Sequence, residues 1–285
     1  MSSGYGTLYL CATPIGNLGD MTFRAVEILK KVSLIAAEDT RHTRKLTSHF
    51  DIHVPLTSYH EHNKNTKGPE LVAKLLAGQD VALVSDAGLP GISDPGEDLA
   101  RLAIEAGILV TPIPGACAAL TALMASGLPT GGFLFVGFLP KATVARRNRL
   151  QLLRNYSETL LFYESPHQLL KTLNELQNVL GDRPAVIGRE LTKIHEEFRR
   201  AHLSELTESF RQQPPRGEFV IIVAGKDGEV ELPDNMKAPV SDESIRQEVA
   251  RNIAAGENKK DAIRMTASKM GLSRRRVYQL ALDSG

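Results

Sequence analysis

The chain has 285 residues, 42% of them hydrophobic and 24% charged, with a formal net charge of +1. It is long enough for two ordinary domains with a sizeable core, and its composition excludes a disordered or fibrous chain. No run approaches the ~18 apolar residues that cross a bilayer, and the start, MSSGYGTLYLCATP, lacks the basic-then-apolar order of a signal peptide.

A cytoplasmic protein without a membrane partner is therefore expected. The near-neutral total does not decide the partner, because a basic face can hide within it. Cys11 and Cys117 lie far apart among small apolar residues, which favours buried free thiols over a disulfide or metal pair.

Through about residue 225, strand-like apolar runs alternate with segments of helical period. TLYLCA, SLIAA, VALVSD and ILVTPIP are separated by FRAVEILKK, ELVAKLLAG and DLARLAIEAG. That order predicts a parallel sheet covered by helices. A second α/β series follows: GFLFVGF, the basic helix ARRNRLQLLRNY, TLLFYES, HQLLKTLNELQNVL, PAVIGRE and GEFVIIVAG. GLPTGG at 127–132 is rich in turn residues and marks the hinge. One α/β domain is placed at 1–127 and the second at 128–226.

KDGEVELPDNMKAPVS then reads as a linker, assigned to 227–240, and residues 241–285 are helical in pattern. Ala262, Met265, Thr266 and Met270 form one stripe, Gly271 breaks it, and Ser273 caps a last helix carrying Val277 and Leu280. Helix, glycine turn, helix is the helix-turn-helix layout. From Arg246 to Arg276 there are nine Lys/Arg against three acids, with Arg274, Arg275 and Arg276 at the start of the last helix. Nucleic-acid binding is the functional reading of this tail; the plainer one is a solvated basic face.

Three loops follow predicted strands and are rich in glycine and proline: TPIGNLGD (13–20), SDAGLPGISDPG (85–96) and PIPGACAAL (112–120). A Walker-type phosphate loop closes on Lys and Ser/Thr, whereas the second loop runs into acids, and Pro90 and Pro95 remove backbone donors. No GxGxxG follows the first strand. The loops therefore suit a flat, uncharged or cationic small molecule gripped by backbone. Open α/β sheets bind ligands beyond the carboxyl ends of their strands, so the three can share one cleft.

These residues resemble the tetrapyrrole-methylase class of S-adenosylmethionine-dependent methyltransferases, and more closely the ribosomal RNA small-subunit methyltransferase I family. TPIGNLGD, AAEDTRHTRKL, SYHEHN, VALVSDAGLPGISDPG, PIPGACA, FYESPH, GRELTKIHEE and GEFVIIV carry the likeness, from Thr13 to Val223. The resemblance implies two α/β domains with S-adenosylmethionine in the cleft between them, a homodimer, and 2′-O-methylation of a cytidine in 16S rRNA, free or in the assembled 30S subunit. For the cofactor it nominates Pro14, Gly16, Asn17, Ser85, Asp86, Ala87, Gly88, Pro114, Gly115, Ala116 and Cys117. From the second domain it adds Phe162, Gly217 and Phe219. One departure stands out: tetrapyrrole enzymes carry an acid in a Pro-Gly-Asp turn of the first loop, where this chain has Asn17.

A ribose hydroxyl is a weak nucleophile, so a neighbouring base or cation should assist it. Polar clusters supply Glu38, Asp39, Arg41, Arg44 and Lys45, then His60, Glu61, His62 and Asn63, then Lys193, His195 and Glu196. Asp39 and Glu164 are chosen as hydroxyl-side carboxylates and Lys193 or Arg41 for the substrate phosphate, with Lys193 counted as the third catalytic residue. The plainer alternatives are that Asp39 or Thr40 caps a helix, and that Glu164 precedes a helix start at Ser165-Pro166. The His60-x-His62 pair without a third ligand is weak for a metal, and none is assigned. An RNA track is expected from Arg41, Arg44, Lys45, His60, Arg146, Arg147, Arg149 and the tail arginines.

Overall fold

The computed structural model describes residues 4–226, 242–270, 272 and 274–282; the expected linker, the Gly271 break and the Ser273 cap lie outside them. Five strands, β1 (Leu8–Cys11), β2 (Leu34–Ala37), β3 (Leu56–Ser58), β4 (Val81–Val84) and β5 (Val110–Ile113), form one sheet. Their order is β3-β2-β4-β1-β5, and every pairing is parallel. Helices α1 (Phe23–Lys31), α2 (Thr40–His49), α3 (Lys64–Leu76) and α4 (Gly96–Glu105) connect them.

Both faces of this sheet are covered, which is why VALV of β4 is buried at all four positions. Val81 and Leu83 pack with Leu71, Leu75 and Leu99 on one side, while Ala82 and Val84 pack with Ala25, Leu29 and Ile35 on the other. Cys11 is among the latter, and burial pushes its thiol up to about 12. Cys11 is a buried free thiol, whereas Cys117, also free, is corrected from buried to partly exposed.

The second sheet contains β6 (Phe133–Phe138), β7 (Thr159–Glu164), β8 (Pro184–Arg189), β9 (Glu197–His202) and β10 (Phe219–Val223), in the order β6-β7-β10-β8-β9. Only β6 and β7 are parallel; the other three pairings are antiparallel. Helices α6 (Thr143–Leu153), α7 (Leu169–Leu180) and α8 (Leu203–Gln212) cover one face, burying Leu160, Phe162, Phe219 and Ile221. The other face, with Leu161, Val186, Val220 and Ile222, packs on α5 (Ala118–Ser126) and Ile15 of the first domain.

Thus α5 belongs by packing to the second sheet, although it precedes the expected boundary. AALTALMAS is apolar on most of its surface, so it sits between layers rather than on an outer face. Gly127 ends α5 in a left-handed conformation, φ +79°.

Three tail helices, α9 (Asp242–Ala254), α10 (Lys259–Lys269) and α11 (Arg274–Leu282), enclose a small core of Ile245, Val249, Ala262, Ile263, Ala267, Val277 and Ala281. The expected stripe is corrected at Met265, which is exposed, while Ile263 and Ala267 turn inward beside Ala262.

Phe162 is fully buried under α6 and α7, so its side chain cannot meet a cofactor. Phe162→Ala should lower unfolding free energy by ~3–5 kcal/mol in a denaturant titration. In the protein that remains folded, calorimetric affinity for S-adenosylmethionine should stay within about threefold of the parent, because ~0.7 kcal/mol is all that a remote core change need transmit.

Candidate active site

Strands β4, β1 and β5 are neighbours, so the loops that follow them emerge side by side at the carboxyl edge of the sheet. Thr13 and Gly88 exchange two backbone hydrogen bonds, 2.9 and 3.1 Å, pinning the first loop to the second. The Thr13 hydroxyl adds a bond to the Ser85 carbonyl, 3.1 Å. Gly88 adopts φ +81°, a conformation that strains any side chain. Gly115 approaches so closely that a Cβ there would lie 2.7 Å from that of Ala12.

Two amides of the second loop bind Asp94 of the same loop. Its carboxylate accepts from the N–H groups of Gly91 and Gly96, both at 2.7 Å. The loop thus uses its own anion, and those donors are closed to a ligand phosphate.

Between the sheets lies a cleft of about 630 Å³. The first domain contributes Ile15, Glu38, Ser85, Asp86, Ala87, Gly88, Asp94 and Cys117, among others, and the second contributes Phe138, Tyr163, Glu164, Ser165, Leu191, Glu218 and Phe219. Five lining residues are carboxylates, and none is Lys or Arg. Burial raises the Glu38 carboxyl above the usual glutamate range, helped by Asp86 and Asp94 nearby and opposed by an Asp86 N–H and by His60. Burial likewise raises Asp94, against its two glycine bonds.

Of the expected cofactor residues, Ser85, Asp86, Ala87, Gly88, Cys117 and Phe219 wall this cleft. Pro14, Gly16, Asn17, Pro114, Gly115 and Ala116 belong to the same loops but not to its lining. Phe162 is corrected to a core residue: along β7, Leu161 and Tyr163 face the first domain, while Leu160 and Phe162 face α7. Gly217 is a turn residue at φ +92° whose added Cβ would collide with Glu190.

The expected catalytic residues fare unevenly. Asp39 caps α2, accepting from the Arg41 N–H at 2.8 Å and pairing with its guanidinium at 2.7 Å. That side-chain bond, reinforced by the backbone one, holds its carboxyl far below the usual range. Asp39 is therefore a poor proton acceptor, and the capping alternative describes it. Glu164 reaches the cleft, but it is 7% exposed and committed to the Ser165 N–H at 2.8 Å and the Thr172 hydroxyl.

Arg146 is corrected outright as an RNA contact. It is 4% exposed, bonded to Glu175 and Thr172, and 3.7 Å from Glu164. In ARRNRL the helix turns Arg146 inward and leaves Arg147 in solvent, with Arg149 half-buried.

Lys193 lies on a strap, residues 190–196, that spans the two domains. Thr192 accepts from the Asn17 N–H, 3.1 Å, and the Lys193 chain lies where a Cβ on Gly16 would fall. Glu190 and Thr192 both have positive φ, +49° and +66°, a strained backbone held by these contacts. Burial lowers Lys193, but bonds to Glu218 and Glu190, 2.9 and 3.0 Å, outweigh it and keep the ammonium charged. The Asn17 side chain caps the turn at Gly19, 2.9 Å.

On the outside, Arg41, Arg44 and Lys45 of α2 are exposed and adjoin the Glu38 corner. His60 is half-buried, with Nδ1 unpartnered. Arg274 and Arg276 are exposed on α11, Arg276 pairing with Asp242 at 3.2 Å; the Arg275 side chain lies outside the described set.

Comparison with known proteins gives the same picture at the level of the family. The tetrapyrrole (corrin/porphyrin) methylase family model matches residues 7–207. A ribosomal RNA small subunit methyltransferase I from Synechocystis is 50% identical over 279 residues, covering 98% of both chains. The chain belongs to the ribosomal RNA small subunit methyltransferase I family. A Bacillus subtilis member is 45% identical over 276 residues, covering 97% of this chain and 94% of its own.

Solved structures show the shared fold. Cobalt precorrin-4 methyltransferase, a cobalamin biosynthetic enzyme, aligns with TM-score 0.58 at 16% identity, covering 78% of this chain and 95% of its own. Uroporphyrin-III C-methyltransferase from Thermus thermophilus, complexed with S-adenosylhomocysteine, aligns with TM-score 0.54 at 19% identity, covering 77% and 97%. As the motifs implied, this family member is an S-adenosylmethionine-dependent methyltransferase with two α/β sheets and C-terminal helices. Among the described residues no helix is long and apolar enough to cross a membrane.

The strap and the buried network give separable expectations. Gly16→Val should displace Lys193 and weaken S-adenosylmethionine binding about tenfold or more by calorimetry, since ~1.4 kcal/mol of loop distortion suffices. Arg146→Ala should leave the salt dependence of RNA binding unchanged and cost ~3–5 kcal/mol of stability in urea, because Glu164 and Glu175 lose their buried partner.

Proposed function

We propose that this methyltransferase transfers the methyl group of S-adenosylmethionine to the 2′-oxygen of a cytidine in 16S rRNA. The observation that carries the reading is the cleft's lining: five carboxylates, of which Glu164 and Glu218 pair with Arg146 and Lys193 outside it while Glu38, Asp86 and Asp94 do not, and no Lys or Arg beside bare loop backbone. Such a site disfavours a polyphosphate and suits a sulfonium nucleoside, whose charge is positive. The bound group supplies an electrophilic methyl; the residues Ser85 to Gly88, Cys117 and Tyr163 would hold it.

The protein's own task is alignment and proton removal. Glu38 is the carboxylate best suited to take the hydroxyl proton. It lines the cleft at the end of β2, and its raised pKa makes it a stronger base than an ordinary glutamate. Asp39 then acts through position, aiming Arg41 outward from α2, where Arg44 and Lys45 join it to meet substrate phosphates. Glu164 holds the cleft floor through Thr172 and Arg146. A homodimer fits this reading, because the apolar helix α5 leaves Leu120 and Met124 exposed, and the protein is expected to act in the cytoplasm.

The decisive experiment supplies labelled methyl donor with under-methylated 30S subunits, free 16S rRNA or uroporphyrinogen. Label should enter the rRNA and be recovered, after digestion, as 2′-O-methylcytidine. Label in uroporphyrinogen alone would reject the substrate class, and label on a base would reject the hydroxyl chemistry.

The base has its own signature. Glu38 must be ionised to accept a proton, so kcat/KM should fall on the acid side with a midpoint above 4.5, the ordinary glutamate value. Glu38→Gln should remove that limb and lower kcat by about 10²- to 10⁴-fold.

A further inference from the structure

The tail holds a second opening, opposite in charge to the cleft. Between α10 and α11 is a groove of about 680 Å³ walled by Lys259, Lys260, Asp261, Ile263, Arg264, Arg274 and Tyr278. Four cations thus face one carboxylate, and that carboxylate is occupied: Asp261 pairs with Arg264 at 2.9 Å and accepts from Asn258 at 2.7 Å. Among the described residues, Lys259, Lys260 and Arg274 have no carboxylate partner.

Folding does not require this arrangement. The three-helix core is closed by Ile263, Val277 and their neighbours, whereas Tyr278 is 53% exposed. Arg274 and Tyr278, four residues apart, share one face of α11, and Lys260 and Arg264 share the facing side of α10. A flat aromatic surface is thereby set among uncompensated positive charges, with an apolar wall from Ile263.

We propose that this groove takes an unpaired nucleotide of the RNA substrate, its base stacked on Tyr278 and its phosphates met by Lys259, Lys260 and Arg274. Stacking is open to any base, and the cations track the backbone, so the groove grips single-stranded RNA without reading its sequence. A paired duplex keeps its bases stacked on one another and presents none to the ring. This rests on the reading above that the substrate is rRNA. It adds a second contact on RNA, in the tail, to the one at the cleft.

The test uses the full chain, a fluorescent single-stranded oligocytidylate, the same strand in duplex, and oligoglutamate as an acidic peptide. Tyr278→Ala should weaken single-strand binding by about 5- to 150-fold, the range for one stacked base, and Tyr278→Phe should restore most of it. Lys259→Ala with Lys260→Ala should flatten the salt dependence, which Tyr278→Ala should leave unchanged. Calorimetric affinity for S-adenosylmethionine should stay at the parent value in each variant, showing that the rest of the chain is intact.

If the parent methylates rRNA but Tyr278→Ala binds the oligonucleotide normally, the groove proposal is overturned while the substrate reading stands. Competition by oligoglutamate, or preference for the duplex, overturns it equally. If the parent labels no rRNA, the substrate reading fails first.

Discussion

Because β1 pairs in parallel with β4 on one side and β5 on the other, three glycine-rich loops leave the sheet as immediate neighbours. The Thr13–Gly88 exchange then locks two of them into one surface. Each glycine in that surface has a spatial reason, such as the left-handed turn at Gly88 or the Ala12 contact at Gly115. The site is therefore a consequence of strand order before it is a consequence of any particular side chain.

Charge divides the molecule's work. The cleft gathers carboxylates, and the second loop satisfies its own amides through Asp94, so neither feature welcomes a phosphate. Basic residues lie elsewhere: along exposed α2 beside the Glu38 corner, and around the tail groove. An enzyme that joins a cationic donor to a polyanionic acceptor needs such segregation. A uniformly basic site would repel the donor, and a uniformly acidic one would repel RNA.

The two domains are held together by more than a hinge. Leu161, Val220 and Ile222 of the second sheet share a core with Ile15 and α5, and the 190–196 strap crosses from Lys193 to Gly16. Asn17 of the first loop takes part in this. Its side chain is used in a local cap and its backbone in the tether to Thr192. The first loop thus tethers the strap to the first sheet.

Much was legible in the residues themselves. Alternating apolar runs and helical periods indicated the parallel first sheet, glycine and proline marked its three loops, and eight ordered motifs identified the family. The short β3 and the charged edge strand β9, EFRRAH, escaped because edge strands carry little apolar signal. Period two along TLLFYE would have placed Phe162 with Leu160 and turned Tyr163 toward the first domain; reading the motif as a block hid that alternation. Tertiary structure alone decided that Arg146 is a buried partner, that Asp39 is spent on Arg41, and that Glu38 stands beside Asp86 and Asp94. Local sequence determines which residues are ionisable and which way a helix or strand presents them. Which charges meet, and how much water they lose, depends on segments tens of residues apart brought together by the sheet.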